Sequence, residues 1–501
     1  MEALQDRVGI LTVCKSFRKI FANYNKKSVC KSIPTYNIFI FMKTRLYCLV
    51  ILLFMVSVSF AETKYIIDER IELTCIVFRL AGYEEYCTNI AEKYGNDIDL
   101  YFEKYKTHPL IEYAKELRVE KELAYNSAII SAFFFQIDKN KILFKPEIGF
   151  DQHFEKIIPW TYESLKKYIK LLDKFYRESN FKAFFKAHDN MYEKSKQAVA
   201  ELIPNINSEW FSEYWGRDLK DVKLYIGPSL GVHNYGMIIP EAEHIDIVIG
   251  CNSCNSDIPM VSASTLSTVV HEIMHSYSTP VFYKYKADLH VDELYKAFES
   301  DLYNKAHYGD GVTMAAEWVN NLFTNLYIIE NRSDDWPRYE AAFDENKGFV
   351  WSNRSISFMN NFYSNRNIYP TFNEFYPQLI GYLNNLVLEI DVLKKEFELR
   401  NPYVVHVHPI SGSIVDTNLK EIRFTFSQPM NVKAKGVSRS HGFHYLKPEQ
   451  CEWVDNKNFV IHLDSLFPNT EYGLKLGHNF FIGMNGHRLK EDFSVTFKTA
   501  E

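Results

Sequence analysis

His271, Glu272 and His275 stand together in "STVVHEIMHSYSTP", residues 267–280, and their types and spacing suit a zinc ion and the proton transfer that goes with it. A helix turns about 100° per residue, so positions four apart lie within about 40° of each other, one turn along. Leu266, Val269, Val270, Ile273, Met274 and Tyr277 recur at helical spacing, with Ser262 or Ser264 as the expected cap and Pro280 as the expected stop. Both imidazoles then face one point. Glu272 falls on the flank of that face, within reach of a water molecule but outside the ligand positions, where a general base belongs.

Two imidazoles need a third ligand on another element. "SYSTPV" after His275 has Ser278 where a metzincin needs glycine and Val281 where it needs a third histidine, which excludes that arrangement. A downstream glutamate is the other common solution, and Glu293, Glu299 and Glu317 are the candidates. Glu317 is favoured. It sits in "GVTMAAEWVNNLFTNLYII" among Met314, Val319, Leu322 and Phe323, where a carboxylate is buried unless something pairs with it. Glu299 has more polar surroundings in "LYKAFESDLYNKAHY".

The elements that must carry these residues divide the chain in two. From Tyr65 to about Leu399 helical periodicity dominates, as in "PLIEYAKELRVEKELAYNSAIISAFFFQI" and "WTYESLKKYIKLLDKFYRE". A strand-like portion, "DVKLYIGPSLGVHNYGMIIP" and then "HIDIVIG", leads directly into the histidine helix, the order expected of a zinc-peptidase core. After Pro402 short strands follow one another: "YVVHVHP", "EIRFTF", "FVIHL", "TEYGLKLG" and "FSVTFKT". The expectation is an α+β chain: a mainly helical core with a small sheet over residues 62–400, then an all-β sandwich over 401–501.

Residues 42–61, "MKTRLYCLVILLFMVSVSFA", have a basic start, an apolar middle too short to span a bilayer, and a small-residue ending at Ala61. They read as a signal peptide cut after Ala61, with residues 1–41 an upstream extension. Residues 1–61 hold 9 of the 57 basic and 2 of the 63 acidic residues, so their removal moves the formal charge from −6 to −13. An acidic, exported chain argues against nucleic-acid binding, and no later segment is apolar enough for a membrane anchor. Five cysteines remain after residue 61: Cys75, Cys87, Cys251, Cys254 and Cys451. "CNSC" lacks the second close pair of a zinc ribbon, and a local disulfide or free thiols is the reading it supports. His406 and His408 share one strand face but stand far from any carboxylate cluster.

"HEIMHSY", "YGDGVTMAAEWVNNLF" and "FYSNRNIYPTFNEFYPQL", with "FRLAGYEEY", "THPLIEYAKELR" and "NYG" upstream, carry a resemblance over residues 65–395. The chain resembles an uncharacterised, secreted, gluzincin-like family of bacterial domains of unknown function. The resemblance implies a zincin-like metallopeptidase core, with His271, His275 and Glu317 as Zn2+ ligands and Glu272 as catalytic glutamate. One difference is that "WVNN" after Glu317 lacks the arginine expected on that helix. The tail, through "HPISGSIVDTNLKEIRFTFSQPM", "LFPNTEYGLKLG" and "FSVTFKT", is similar to bacterial immunoglobulin-like domains of surface-layer and secreted proteins, which act as spacers or attachment modules.

The expected activity is hydrolysis of a peptide or protein substrate outside the cytoplasm, with Glu272 taking the proton from water as it attacks a carbonyl. The oxyanion needs a further donor, for which His307, Tyr308 and Tyr369 are candidates and Tyr308, shortly before the Glu317 helix, comes first. The strand around "HNYGMII" is expected to pair with an extended substrate. The competing class is a catalytically silent surface protein that binds a partner on the same scaffold; the presence of Glu272, which no ligand set requires, favours the enzyme.

Overall fold

Residues 221–227 and 244–250 are apolar on both faces, the pattern of strands covered on two sides, and they form the centre of a four-stranded sheet. The computed structural model describes residues 62–145, 159–237, 243–298, 303, 308–333, 337–433, 436–440, 443–444 and 450–501. The expected signal peptide, Glu299 and His307 lie outside the described residues.

The sheet is built from β1 (Thr63–Ile66), β2 (Asp221–Gly227), β3 (Asn234–Met237) and β4 (His244–Gly250), in the order β1-β2-β4-β3. β1, β2 and β4 run parallel. β3 runs antiparallel to β4, with Tyr235 opposite Val248 and Gly236 opposite Ile247, and its other side forms the sheet edge among the described residues. Strand alternation sorts the side chains onto two faces. Val222, Leu224, Ile226, Ile245, Ile247 and Ile249 join the core that holds the histidine helix. Tyr225, Met237 and Val248 join a second core, built on the N-terminal helices around α1 (Glu69–Leu80), which is buried continuously from Ile71 to Leu80.

The histidine helix α2 (Thr265–Tyr277) follows the sheet. Ser264 occupies the cap position but its side chain makes no capping bond. Asn252 holds this end instead: its Oδ1 accepts from Ser262 N at 2.7 Å and its Nδ2 donates to Ser262 Oγ at 3.2 Å. Pro280 does not end the helix. α2 stops at Tyr277, and Pro280 opens the next short helix, Thr279–Phe282, in the first turn where its missing N–H costs nothing. The glutamate helix α3 (Gly311–Asn331) starts at Asp310, which accepts from Thr313 N at 2.7 Å, and packs against α2 and α4 (Pro337–Glu345). α5 (Phe372–Leu386) holds the far end of α2, with Tyr376 Oη 3.0 Å from Ser278 O.

The C-terminal strands form two four-stranded sheets. Their orders are Gln450–Trp453, Asn458–His462, Glu421–Phe426, Val404–His408 and Ser413–Val415, Phe493–Thr499, Glu471–Leu476, Val437–Arg439. Ile422, Phe424, Phe459 and Ile461 from one sheet share a core with Leu474, Leu476, Val495 and Phe497 from the other, so the sheets pack face to face. The architecture is mixed α/β, a helical core followed by strands in sheets. Among the described residues Cys251 and Cys254 are free thiols, the first buried and the second exposed, as are the buried Cys75 and the exposed Cys87. No helix among the described residues is long and apolar enough to cross a membrane.

Candidate metal centre

α2 carries His271 and His275 on the side that faces α3, and α3 presents Glu317 to them. His271 Nε2 lies 3.2 Å and His275 Nε2 3.8 Å from the same Glu317 oxygen, and the donor atoms of all three residues lie within 4.8 Å of one another. Donors about 2.1 Å from a tetrahedral zinc stand about 3.4 Å apart, so this set fits the ion with small adjustments. The donor types, two imidazoles and a carboxylate, are those of an open zinc site. Among the other glutamate candidates, Glu293 is exposed and paired with Lys296 at 3.0 Å.

The electrostatics suit a metal as well. Burial, and then the charge of His271, lower the His275 imidazole to about 4, which keeps it in the neutral form that binds metal. Burial acts against the charged forms of His271 and Glu317 too, but their hydrogen bond and mutual attraction outweigh it, raising the imidazole and lowering the carboxyl.

His275 is oriented from behind. Its Nδ1 lies 3.2 Å from Thr279 Oγ1 and 3.0 Å from Asn320 Nδ2, and Asn320 is fully buried with its Oδ1 lacking a partner. If Nε2 ligates, Nδ1 carries the proton and needs an acceptor. Turning the Asn320 amide over presents Oδ1 to that proton and gives the orphaned oxygen its bond. His271 Nδ1 is also buried and lacks a partner among the described residues.

Glu272 lines the same cleft as His275 and Glu317 but lies outside the donor cluster, reaching to the sheet edge. Its Oε2 accepts from Gly236 N at 2.8 Å, and burial lifts its carboxyl above the usual range, against the pull of His271 and the Gly236 N–H. A Cβ on Gly236 would stand 2.5 Å from that oxygen, so glycine here is a steric condition for the glutamate's position. Gly236→Ala is therefore expected to displace the carboxylate by about 1 Å while leaving the His271–His275–Glu317 set in place, as a structure of the variant checks.

The site opens on a cleft of about 300 Å³ lined by β3, Glu272, His275 and Glu317, with Asn126 contributed by the N-terminal helices. β3 runs along the cleft as the last strand of the sheet among the described residues, with its Gly236 N–H taken by Glu272. Tyr308 is partly buried, 6.0 Å between ring centres from Tyr303. Burial, then the nearby charges of Glu317, Asp344 and Glu272, raise its phenol, but no hydrogen bond joins it to the cluster among the described residues. Tyr369 packs on Phe375 and no contact places it at the cluster. Gly236 and Asn320 were not singled out from the sequence, although Asn320 lies one turn beyond Glu317 and so on its side of the helix.

Fold and site together define a mixed α/β chain with a His-His-Glu centre in a cleft beside a sheet edge. The chain belongs to the family described as a domain of unknown function (DUF4932), whose model matches residues 64–382. No curated protein matches it. Among solved structures it is similar to CopC from Methylosinus trichosporium OB3b, at 14% identity over 20% of this chain and 94% of that one, TM-score 0.17. It is similar to PcoC, a methionine-rich copper resistance protein from Escherichia coli, at 19% identity over 20% and 98%, TM-score 0.17. It is also similar to the S-layer protein rSbsC, at 14% identity over 50% and 35%, TM-score 0.17. Scores this low define no common architecture.

Proposed function

We propose that this protein is an exported, gluzincin-like zinc peptidase. The observation that carries the reading is the placement of Glu272: a carboxylate held by the Gly236 N–H at the cleft, next to a His271–His275–Glu317 set of zinc-site composition but not part of it. A binding protein has no use for a base in that place.

Zinc bound by the three residues would supply Lewis acidity toward a carbonyl and toward water. The residues of the chain do the rest. β3 pairs with an extended substrate backbone and lays the scissile amide across the cleft. Glu272, its proton affinity raised by burial, takes a proton from the attacking water and returns it to the leaving amine, so hydrolysis adds one water across the C–N bond. Asn320 and Thr279 hold the His275 ring in the orientation that leaves Nε2 toward Glu317. For the developing oxyanion Tyr308 is the candidate donor, supported by the nearness of its phenol to the charges of Glu317 and Glu272.

Export rests on the "MKTRLYCLVILLFMVSVSFA" segment, and attachment at a cell surface on the immunoglobulin-like character of the sandwich strands. The test is elemental mass analysis of the purified chain, followed by a peptide-library digest with and without a chelator. One zinc per chain and cleavage abolished by the chelator are the expected results; a chain that holds no metal overturns the proposal.

A further inference from the structure

α4 lies between the metal-bearing helices and the sandwich and is fastened to both. On one side Ser267 Oγ, one turn before His271, donates to Glu340 Oε1, and Asn325 Nδ2, two turns beyond Glu317, donates to the buried Asp344 Oδ2 at 2.8 Å. On the other side the fully buried Glu345 accepts from Arg400 Nη1 at 2.7 Å on each oxygen, and His487 Nε2 of the sandwich lies 3.1 Å from its Oε2. His487 is itself 1% exposed. The sandwich backbone at Gly486 comes close there too: Asn346 Nδ2, just after α4, donates to Gly486 O at 3.1 Å, and a Cβ on Gly486 would stand 2.8 Å from that of Ala342 on α4.

A carboxylate withdrawn from water persists only if it is paired, and losing one partner leaves the other charge stranded. Glu345 finds its side-chain partners outside α4, one at the end of the helix Ile390–Arg400 and one in the sandwich. The sandwich therefore shares, with Arg400 and the Asn353 N–H that also hold Glu345, in setting where α4 sits. α4 in turn bonds to α2 and α3 at points one and two turns from the ligands. Metal ligation tolerates errors of only about 0.2 Å in ligand distance, so the spacing of these two helices decides affinity.

We infer that the sandwich is a working part of the metal centre, with His487 and Glu345 as positioning residues that act through α4 on the distance between the helices of His271, His275 and Glu317. This gives the C-terminal strands a role other than spacing or attachment, and it rests on the metal reading above.

The test is zinc affinity of the full chain, measured by competition with a chromogenic chelator at a temperature where circular dichroism shows every variant folded. His487→Ala is expected to bind zinc about tenfold more weakly, in the range seen when groups behind metal ligands are removed. His487→Gln, which restores a neutral donor, is expected to recover part of the loss. Val495→Ala, in the sandwich core away from α4, lowers the thermal midpoint without touching the brace and is expected to leave affinity unchanged. Glu345→Gln repeats the test from the other side of the contact; if it does not fold, the His487 pair decides. Lowered midpoints with parental affinity in His487→Ala overturn the inference. A parent chain without zinc overturns the metal reading and this inference together, so the two failures are told apart by the parent alone.

Discussion

Glu272→Gln is expected to keep one zinc per chain and to lower peptide turnover by about 10²–10⁴-fold, the range in which a positioned general base contributes. The two side chains have nearly the same shape, and the glutamine carbonyl oxygen can still accept from Gly236 N, where Glu272 Oε2 now sits at 2.8 Å. Backbone, cleft and the three ligands are left as they were. What is lost is the capacity to take a proton, because an amide has no accessible basic site. Zinc content by elemental analysis and turnover on a library-selected peptide check the two halves separately. Parental turnover in this variant would mean that the proton goes elsewhere, and the mechanism as drawn would fall. Zinc lost together with turnover would mean that Glu272 belongs to the ligand set.

The ligand helices were legible in the sequence because their information is local. His271 and His275 need only the helical period, and Glu317 betrays itself as a charge among Met314, Val319, Leu322 and Phe323. The central strands β2 and β4 and the longer strands of the sandwich are likewise read from stretches of five to seven residues, whereas β1, four residues at Thr63–Ile66, falls where helical periodicity is expected to begin. Where the reading failed, the deciding contacts join residues far apart in the chain. Neither Ser262 nor Ser264 caps α2 with its side chain; Asn252 instead fixes the loop that leads into the helix by accepting from Ser262 N. Pro280 reads as a stop by its type; α2 ends three residues before it, and Pro280 itself stands in the first turn of the next helix.

The short strands Ser413–Val415, Val437–Arg439 and Gln450–Trp453 have three or four residues each, too few for an alternation to show. Gly236 and Glu272 are 36 positions apart, and nothing in "NYG" says that its glycine makes room for a carboxylate on another element. Asn320 stands in "WVNN", a stretch notable from sequence only for lacking an arginine, yet its amide is what reaches the back of His275. The brace at Glu345 joins Arg400, 55 positions away, and His487, farther still, to one buried carboxylate, a pattern with no period at all.

Glu317→Ala is expected to bind zinc more than about 100-fold more weakly, beyond the range for groups that only support a ligand, and to abolish the thermal stabilisation that zinc gives the parent. The parent at zinc 100 times its dissociation constant gains about 2.7 kcal/mol, from mass action on the folded state alone. In the variant His271 loses the carboxylate 3.2 Å away that raises its proton affinity, and His275 the one at 3.8 Å, so two imidazoles face each other across a vacant corner. With only His271 and His275 left to bind, the ion has too few donors to displace its hydration. Glu317 is partly exposed in the cleft, so its removal from the metal-free protein leaves no fully buried charge stranded, and the midpoint without zinc is expected to stay near that of the parent. Midpoints with and without zinc, in both proteins, make a four-way comparison that separates ligation from folding. An upshift equal in the two proteins would remove Glu317 from the ligand set and return the search to the helices before it; a midpoint that collapses without zinc would make Glu317 a structural residue first and a ligand second.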